Sequence, residues 1–251
     1  MASLESEEND IMKYIFLVAG KGTRLHPLTL SHPKSMFKLD KNITLLQRMV
    51  SLIKMIDKDA DIVIVTGHMH RSIEEQIKNV TFIYNPFYEV TNSIASLWFA
   101  RNHLDAENVT LIDGDIVMPE KLMREVVCQK VNKPSVLIDS SICFDGDYNV
   151  EVSGENVLVM SKDLKSYHGE YAGVTKLDHD SALLMKQEID NMIEDGYYDQ
   201  WYENALVQLI FKTDFKLYYT DIRDFDWTEV DSVDDLLHAK NIYMNDIMAD
   251  K

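Results

Sequence analysis

The stretch FLVAGKGTRLHPLTLSHPK, residues 16–34, limits the fold more than any other part of the chain. An apolar run over residues 14–18 stops at Ala19-Gly20-Lys21-Gly22-Thr23-Arg24, the form of a buried strand feeding a glycine-rich turn. Gly20 and Gly22 are free to take positive φ and let a ligand approach the main chain. Successive backbone N–H groups in such a turn make a concavity for an anion, and the planar fork of Arg24 suits phosphate oxygens. Ten residues after Arg24, Pro33-Lys34 adds a second fixed cation. Two familiar phosphate loops are excluded. The spacing lacks the first glycine of G-x-x-x-x-G-K-[ST], and Leu25 stands where a dinucleotide fingerprint needs its third glycine.

Apolar runs at residues 14–18, 61–66, 81–84 and 109–112 alternate with amphipathic stretches at 45–56, 70–78 and 93–102. This alternation predicts a single α/β domain, Rossmann-like, with a mostly parallel mixed sheet flanked by helices. Ligands in such sheets lie beyond the carboxyl ends of the strands, where the glycine loop and Asp113-Gly114-Asp115 both fall. After residue 133 the pattern changes. Residues 135–139, 149–152 and 157–160, with a turn at Gly154-Glu155-Asn156, predict a small antiparallel β region over the site. A strand at 170–177, helices at 181–194 and 199–211, a strand at 215–220 and a closing helix at 230–248 complete the order. Ser232 and Asp235 form a capping pair for that last helix. Residues 1–11, acidic and polar at their start, are expected to be a disordered extension, leaving residues 12–251 as the folded domain.

Charge narrows the ligand. The net charge of −17 repels nucleic acid and anionic membrane. Residues 13–41 run against that background, with Lys13, Lys21, Arg24, Lys34, Lys38 and Lys41 against the single acid Asp40. A positive pocket in an acidic body suits a small polyanion such as a nucleoside triphosphate. No apolar run approaches the ~18 residues that span a bilayer. Cys128 and Cys143 lack CxxC spacing and fit reduced thiols, so a cytoplasmic protein without membrane insertion is expected.

Asp113 and Asp115, at a strand end opposite the loop, offer the hard oxygen ligands that a magnesium-bound triphosphate requires. The same tripeptide is common in surface turns. Glu229-Val230-Asp231 is a second acidic cluster, and acids are also favoured at a helix N-terminus by the macrodipole.

The pattern G-x-G-T-R-L-x-P-L-T-x-x-x-P-K at residues 20–34 resembles the opening motif of nucleotidyltransferases that activate sugar phosphates and similar small phosphates. Within that superfamily the chain is similar to bacterial CTP:phosphocholine and 2-aminoethylphosphonate cytidylyltransferases. The similarity is carried by IDGD at 112–115, GEYAGV at 169–174, WYENA at 201–205 and WTEVDS at 227–232. The resemblance implies a nucleotidyltransferase fold. It also implies that Ala19, Gly20, Lys21, Gly22, Thr23 and Arg24 hold the triphosphate, with Asp113 beside them. Lys34 would neutralise charge near the α-phosphate, with Arg24 and Asp115 completing the catalytic set. Asp115 and Asp231 would jointly hold Mg²⁺, and Asn92 and Ser93 would contact base or ribose. Lys21 departs from the uncharged residue usual at its position.

The reaction implied is attack by a phosphate or phosphonate oxygen on the α-phosphorus of CTP, releasing pyrophosphate. A phosphate monoester is largely deprotonated near neutrality, its second pKa being about 6, so no general base is required. His26 and His32 therefore read as turn residues. Aromatic and acidic residues in the second half suit an ammonium-bearing acceptor. By resemblance, Tyr148, Glu170, Asp199 and Trp201 would bind it, and phosphocholine, aminoethylphosphonate and phosphorylated amino-acid derivatives all remain open. A sugar-1-phosphate uridylyl- or thymidylyltransferase, or a non-catalytic nucleotide-binding regulator on the same fold, are the competing readings.

Overall fold

The structure, a computed structural model, describes residues 11–143 and 146–249; of the expected N-terminal extension only the exposed Ile11 lies among them. Four strands, β1 (Met12–Val18), β2 (Asp61–Thr66), β3 (Thr81–Tyr84) and β4 (Asn108–Asp113), pair in parallel in the order β3-β2-β1-β4. Side chains alternate along β1. Tyr14, Phe16 and Val18 enter one apolar cluster, whereas Ile15 and Leu17 face the other. Burial on both faces is why the strand reads as an unbroken apolar run. Each fully buried aliphatic or aromatic side chain contributes about 1.5–3 kcal/mol.

Helices cover both faces. α1 (Leu45–Ile56) and α2 (His70–Gln76) bury Leu46, Met49, Ile53 and Ile73 in the Tyr14–Phe16 cluster. α3 (Ser93–Phe99) packs Ile94 and Leu97 into the opposite one. α1 opens on a capping box in which Gln47 Oε1 accepts from the Thr44 backbone N–H at 2.9 Å.

Beyond β4 the sheet turns antiparallel. The long β9 (Gly169–Asp178) lies between β4 and β6 (Ser135–Asp139), antiparallel to both, and β10 (Tyr218–Asp221) runs parallel to β6. The hairpin of β7 (Asn149–Ser153) and β8 (Asn156–Ser161) pairs through β8 with β10 and through β7 with the start of β9. The antiparallel region expected over the site is therefore continuous with the main sheet, which has nine strands among the described residues. α5 (His179–Glu194) and α6 (Glu203–Lys212) pack on the α3 side.

A two-residue ribbon escaped the sequence reading. β5 (Ile116–Val117) pairs antiparallel with β11 (Thr228–Glu229), Ile116 opposite Glu229. Between them in the chain, α4 (Glu120–Leu122) continues as a π turn over Met123–Val127. The last helix, α7 (Val233–Ala249), starts three residues later than the pattern suggested, because Val230 N–H donates instead to the Asp115 carbonyl at 3.0 Å. The expected cap is present: Ser232 N–H donates to Asp235 Oδ2 at 2.7 Å, and Asp235 N–H to Ser232 Oγ at 3.2 Å. Arg48 on α1 donates to Asp246 on α7, which also accepts from Glu120 N–H at 2.9 Å.

One expected helix start is wrong. Residues 199–202 are not helical, and α6 begins at Glu203. The backbone there is taken up elsewhere: Asn92 N–H donates to Tyr198 O, and Ile94 N–H to Gln200 O, each at 3.1 Å. Trp201 and Tyr202 consequently point apart, Tyr202 fully buried and Trp201 at 39% exposure.

Candidate active site

The carboxyl ends of β1 and β4 open onto a cleft of about 330 Å³. Ala19, Gly20, Gly22, Thr23, Arg24 and Lys34 line one side of it. Asn92, Ser93, Asp113, Asp115, Tyr148, Trp201 and Asp231 line the remainder. Its place is the one that parallel α/β sheets give their ligands.

The glycine loop turns at Gly22, whose φ of 62° is left-handed; a Cβ there would lie 3.1 Å from Lys34 Cβ. Thr29 Oγ1 fastens the turn by donating to Gly22 O at 2.8 Å. Gly20, equally free to take positive φ, does not. It is open instead, with nothing within 4 Å of where a Cβ would stand. The N–H groups of Lys21 and Gly22 have no partner among the described residues, as an anion-binding turn requires. In the turn after β4 Gly114 is obligatory, since a Cβ would come within 2.1 Å of Val18 Cγ1 and 2.7 Å of the Leu17 carbonyl oxygen.

Lys34 follows extended Pro33 in a single 3-10 turn and is 9% exposed. Its ammonium donates to Asp115 Oδ2 at 2.7 Å and to Asp231. Burial would pull this lysine down, but the Asp115 and Asp231 carboxylates outweigh it and hold the ammonium above its ordinary range. Arg24 Nη1 lies 2.6 Å from Asp231 Oδ2 and 3.1 Å from Asp147 Oδ2. The β5–β11 ribbon creates this convergence, because it sets residue 231 beside residue 115.

The ribbon also delivers a third carboxylate. One oxygen each of Asp115, Glu229 and Asp231 lies within 4.8 Å of the others, and three hard oxygen donors at this separation fit a magnesium-type ion. Burial, with Asp115 and Asp231 beside it, pushes Glu229 up to about 9. Burial, with Glu203 and Asp115 nearby, likewise raises Asp113.

The expected positive pocket is not what the fold builds. Six acidic side chains line the cleft against three basic ones, Arg24, Lys34 and Lys162. Lys13 is spent on Asp61 at 3.0 Å and Lys21 on Glu89 at 3.0 Å, while Lys38 is exposed elsewhere. Proximity in sequence did not translate into convergence in space. Arg24 and Lys34 are already paired with carboxylates, so a triphosphate would gain from the positive charge of a divalent ion held by Asp115, Glu229 and Asp231.

The remaining expected residues divide. Asn92 caps α3 by accepting from Ser93 N–H at 2.8 Å, and Ser93 Oγ accepts from Tyr202 N–H at 2.9 Å, so both carry structure as well as lining the cleft. Tyr148 stands perpendicular to Trp201 (6.2 Å between centroids, 73°). Glu170 lies outside this cleft, in an adjoining cavity, and accepts from Asp147 N–H at 2.6 Å. Asp199 is exposed and lines neither cavity; its Oδ1 accepts from Gln200. Lys21 does not line the cleft either.

Four charged lining residues, Asp147, Lys162, Glu203 and Glu229, stood outside the expected set of site residues. Glu229 was signalled by its i, i+2 spacing from Asp231, which puts both on one face of an extended segment. Lys162 sits 3.2 Å from both Asp147 oxygens and 4.6 Å from the Trp201 ring centre, with no sequence signal beyond its place at the end of β8. Glu203 is 5% exposed, and burial pushes it up to about 7.

Comparison with known proteins bears on the family and the fold. Residues 13–140 match the family model described as nucleotidyl transferase. The choline-phosphate cytidylyltransferase of Streptococcus pneumoniae is 24% identical over 242 residues, spanning 94% of this chain and all of that protein. The CTP:phosphoglutamine cytidylyltransferase of Campylobacter jejuni is 20% identical, over 90% of this chain and 98% of its own. A solved structure of the CTP:phosphocholine cytidylyltransferase from Streptococcus pneumoniae superposes with a TM-score of 0.77 at 23% identity, covering 93% of this chain and 99% of the other. Among the described residues no helix is long and apolar enough to cross a membrane.

Proposed function

The chain belongs to the nucleotidyl transferase family, and from that premise we propose that it transfers a cytidylyl group from CTP to a small amino-bearing phosphate or phosphonate, releasing pyrophosphate. The observation that carries the reading is the contact of Lys34 with Asp115 and Asp231 beside a glycine loop with free backbone N–H groups. CTP as donor is supported by the names of the two relatives above, both cytidylyltransferases.

In this reading the turn at Gly20, Gly22 and Thr23 receives the β- and γ-phosphates, with Arg24 at its rim. Lys34 lies where it can balance charge on the α-phosphate and on the incoming oxygen. Asp115, Glu229 and Asp231 would hold Mg²⁺, which supplies Lewis-acid stabilisation of the phosphoryl oxygens. A phosphate or phosphonate oxygen of the acceptor forms a new bond to the α-phosphorus as the bond to pyrophosphate breaks in line. The attacking oxygen is already anionic near neutrality, so the protein has no proton to remove. Alignment and charge stabilisation do the rest. The acidic lining beside Tyr148 and Trp201 favours an acceptor that also carries a cation.

The test is pyrophosphate release with CTP, UTP, ATP and dTTP, crossed with phosphocholine, aminoethylphosphonate, phosphoethanolamine and glucose-1-phosphate. Release with CTP and an amino acceptor is expected. Release with UTP or dTTP and glucose-1-phosphate, and none with CTP, would overturn the reading. Silence with every pair would favour a nucleotide-binding regulator.

A further inference from the structure

Building on the cytidylyl-transfer reading, we propose that the acceptor carries an ammonium with at least one N–H bond, and that Glu203 is the residue that recognises it. Glu203 is the first residue of α6, where an acid is favoured by the helix dipole. The dipole does not explain its surroundings. The side chain is 5% exposed and lines the cleft next to Tyr148, Tyr171 and Trp201. Its Oε2 is buried and has no hydrogen-bond partner among the described residues. A carboxylate oxygen left in that state is costly, and native structures rarely keep one without a purpose.

The neighbouring donors are committed elsewhere. Tyr148 OH donates to Asn204 Oδ1 at 3.1 Å. Tyr171 OH pairs with Tyr202 OH and with Thr175 Oγ1 at 2.9 Å. The charges acting on Glu203 come from Asp113 and Asp115 at the end of β4 and from Lys162 at the end of β8. Lys162 is held by Asp147, and Lys34, which also reaches Asp113 electrostatically, is held by Asp115 and Asp231. The floor of the cleft therefore holds an acceptor atom without a donor among the described residues.

That combination distinguishes one kind of cation from another. A quaternary ammonium has no N–H to give and relies on aromatic faces. Here Tyr148 stands edge-on to Trp201 and to Tyr171, which is only 4% exposed, and the Lys162 ammonium already sits 4.6 Å from the Trp201 ring centre. A primary, secondary or tertiary ammonium would satisfy Glu203 Oε2, whereas a trimethylammonium would bury it still unpaired. Glu203 thus reads the hydrogen-bonding capacity of the acceptor nitrogen.

The experiment compares initial rates with CTP across phosphoethanolamine, its N-methyl and N,N-dimethyl derivatives and phosphocholine. Aminoethylphosphonate and its N,N,N-trimethyl derivative run in parallel, in case the enzyme demands a phosphonate. The wild-type series needs no variant, so it stands even where a substitution impairs folding. kcat/KM is expected to drop at least about tenfold when the last N–H is methylated. Glu203→Gln is expected to lower kcat/KM for the primary amine about 10- to 100-fold, mainly through KM, and to flatten the series, with CTP affinity measured by calorimetry unchanged. Trimethyl acceptors used as well as their primary counterparts would overturn the proposal while leaving cytidylyl transfer intact. A Glu203→Gln variant that keeps the wild-type preference would do the same. Absence of turnover with CTP and every acceptor would instead remove the cytidylyl-transfer reading, and this inference with it.

Discussion

Asp231 accepts a hydrogen bond from Lys34 across 197 positions of chain, and the same ammonium reaches Asp115 at 2.7 Å. One buried lysine thus holds together two acids that the two strands of the β5–β11 ribbon bring to the same end. Removing either partner would leave charge buried without compensation, so the contact ties the stability of the site to its chemistry.

Lys34→Met should cut kcat by about 10²- to 10³-fold, the usual effect of deleting one transition-state charge partner. With the ammonium gone, Asp115 loses its cation, and Arg24 alone remains against Glu229 and Asp231. The variant should therefore melt lower than wild type without divalent ions and recover when magnesium is added. Steady-state rates and thermal melts with and without magnesium check both halves; a near-normal kcat would remove Lys34 from its role.

Chelation should abolish turnover, and CTP should bind weakly to the chelated protein because Arg24 and Lys34 are already paired with Asp231 and Asp115. Asp115→Asn and Asp231→Asn should each lower the rate at saturating CTP by about 10²-fold or more. Calorimetric titration of CTP with and without magnesium checks the binding claim. Equal affinity in the two conditions would contradict it.

Asp246→Ala should destabilise the fold by about 3 kcal/mol in urea titrations, since it strands the buried Arg48 guanidinium. Burial already lowers Arg48 from its ordinary range, with Asp246 the main opposing influence. Because Asp246 anchors α7, whose first turn follows Asp231, activity should fall at temperatures well below the wild-type melt. A loss within 0.5 kcal/mol would show the pair to be dispensable.

Lys176 gives a pH signature. Its ammonium is buried, donates to Val126 O at 2.6 Å and Gln129 O at 2.7 Å, and is pushed down to about 8 by burial. Below pH 8 both folded and unfolded chains carry this proton. Between about 8 and 10.5 the unfolded chain still binds it and the folded chain does not, so this residue makes stability rise with pH in that window. The wild-type minus Lys176→Met difference in unfolding free energy should therefore slope upward from pH 8 to 10. A flat difference would place the folded-state lysine near its ordinary value.

Much of the frame was legible in the chain. The strand at residues 14–18, the glycine loop and the acids at 113 and 115 could be read because each depends on near neighbours: apolar periodicity, a left-handed glycine, a strand end. The Ser232–Asp235 cap is equally local. The start of α6 was misread because Tyr198 and Gln200 give their carbonyls to the N-terminus of α3, a partner about a hundred residues away that no local pattern announces. The positive pocket was misread for the same reason, since Lys13 and Lys21 find acids outside the cleft.

The sequence by itself determined a parallel α/β domain with a phosphate-type loop at a strand end, because backbone form and side-chain alternation are set within a few residues. Only the tertiary structure decided which charges meet. The pairing of residues 116–117 with 228–229 brings Glu229 and Asp231 to Asp115, and the pairing of Ser93 with Tyr202 fixes the start of α6, where Glu203 stands in the cleft. Convergence of that kind depends on the register between distant segments, which burial of the whole core enforces and no short window of sequence contains.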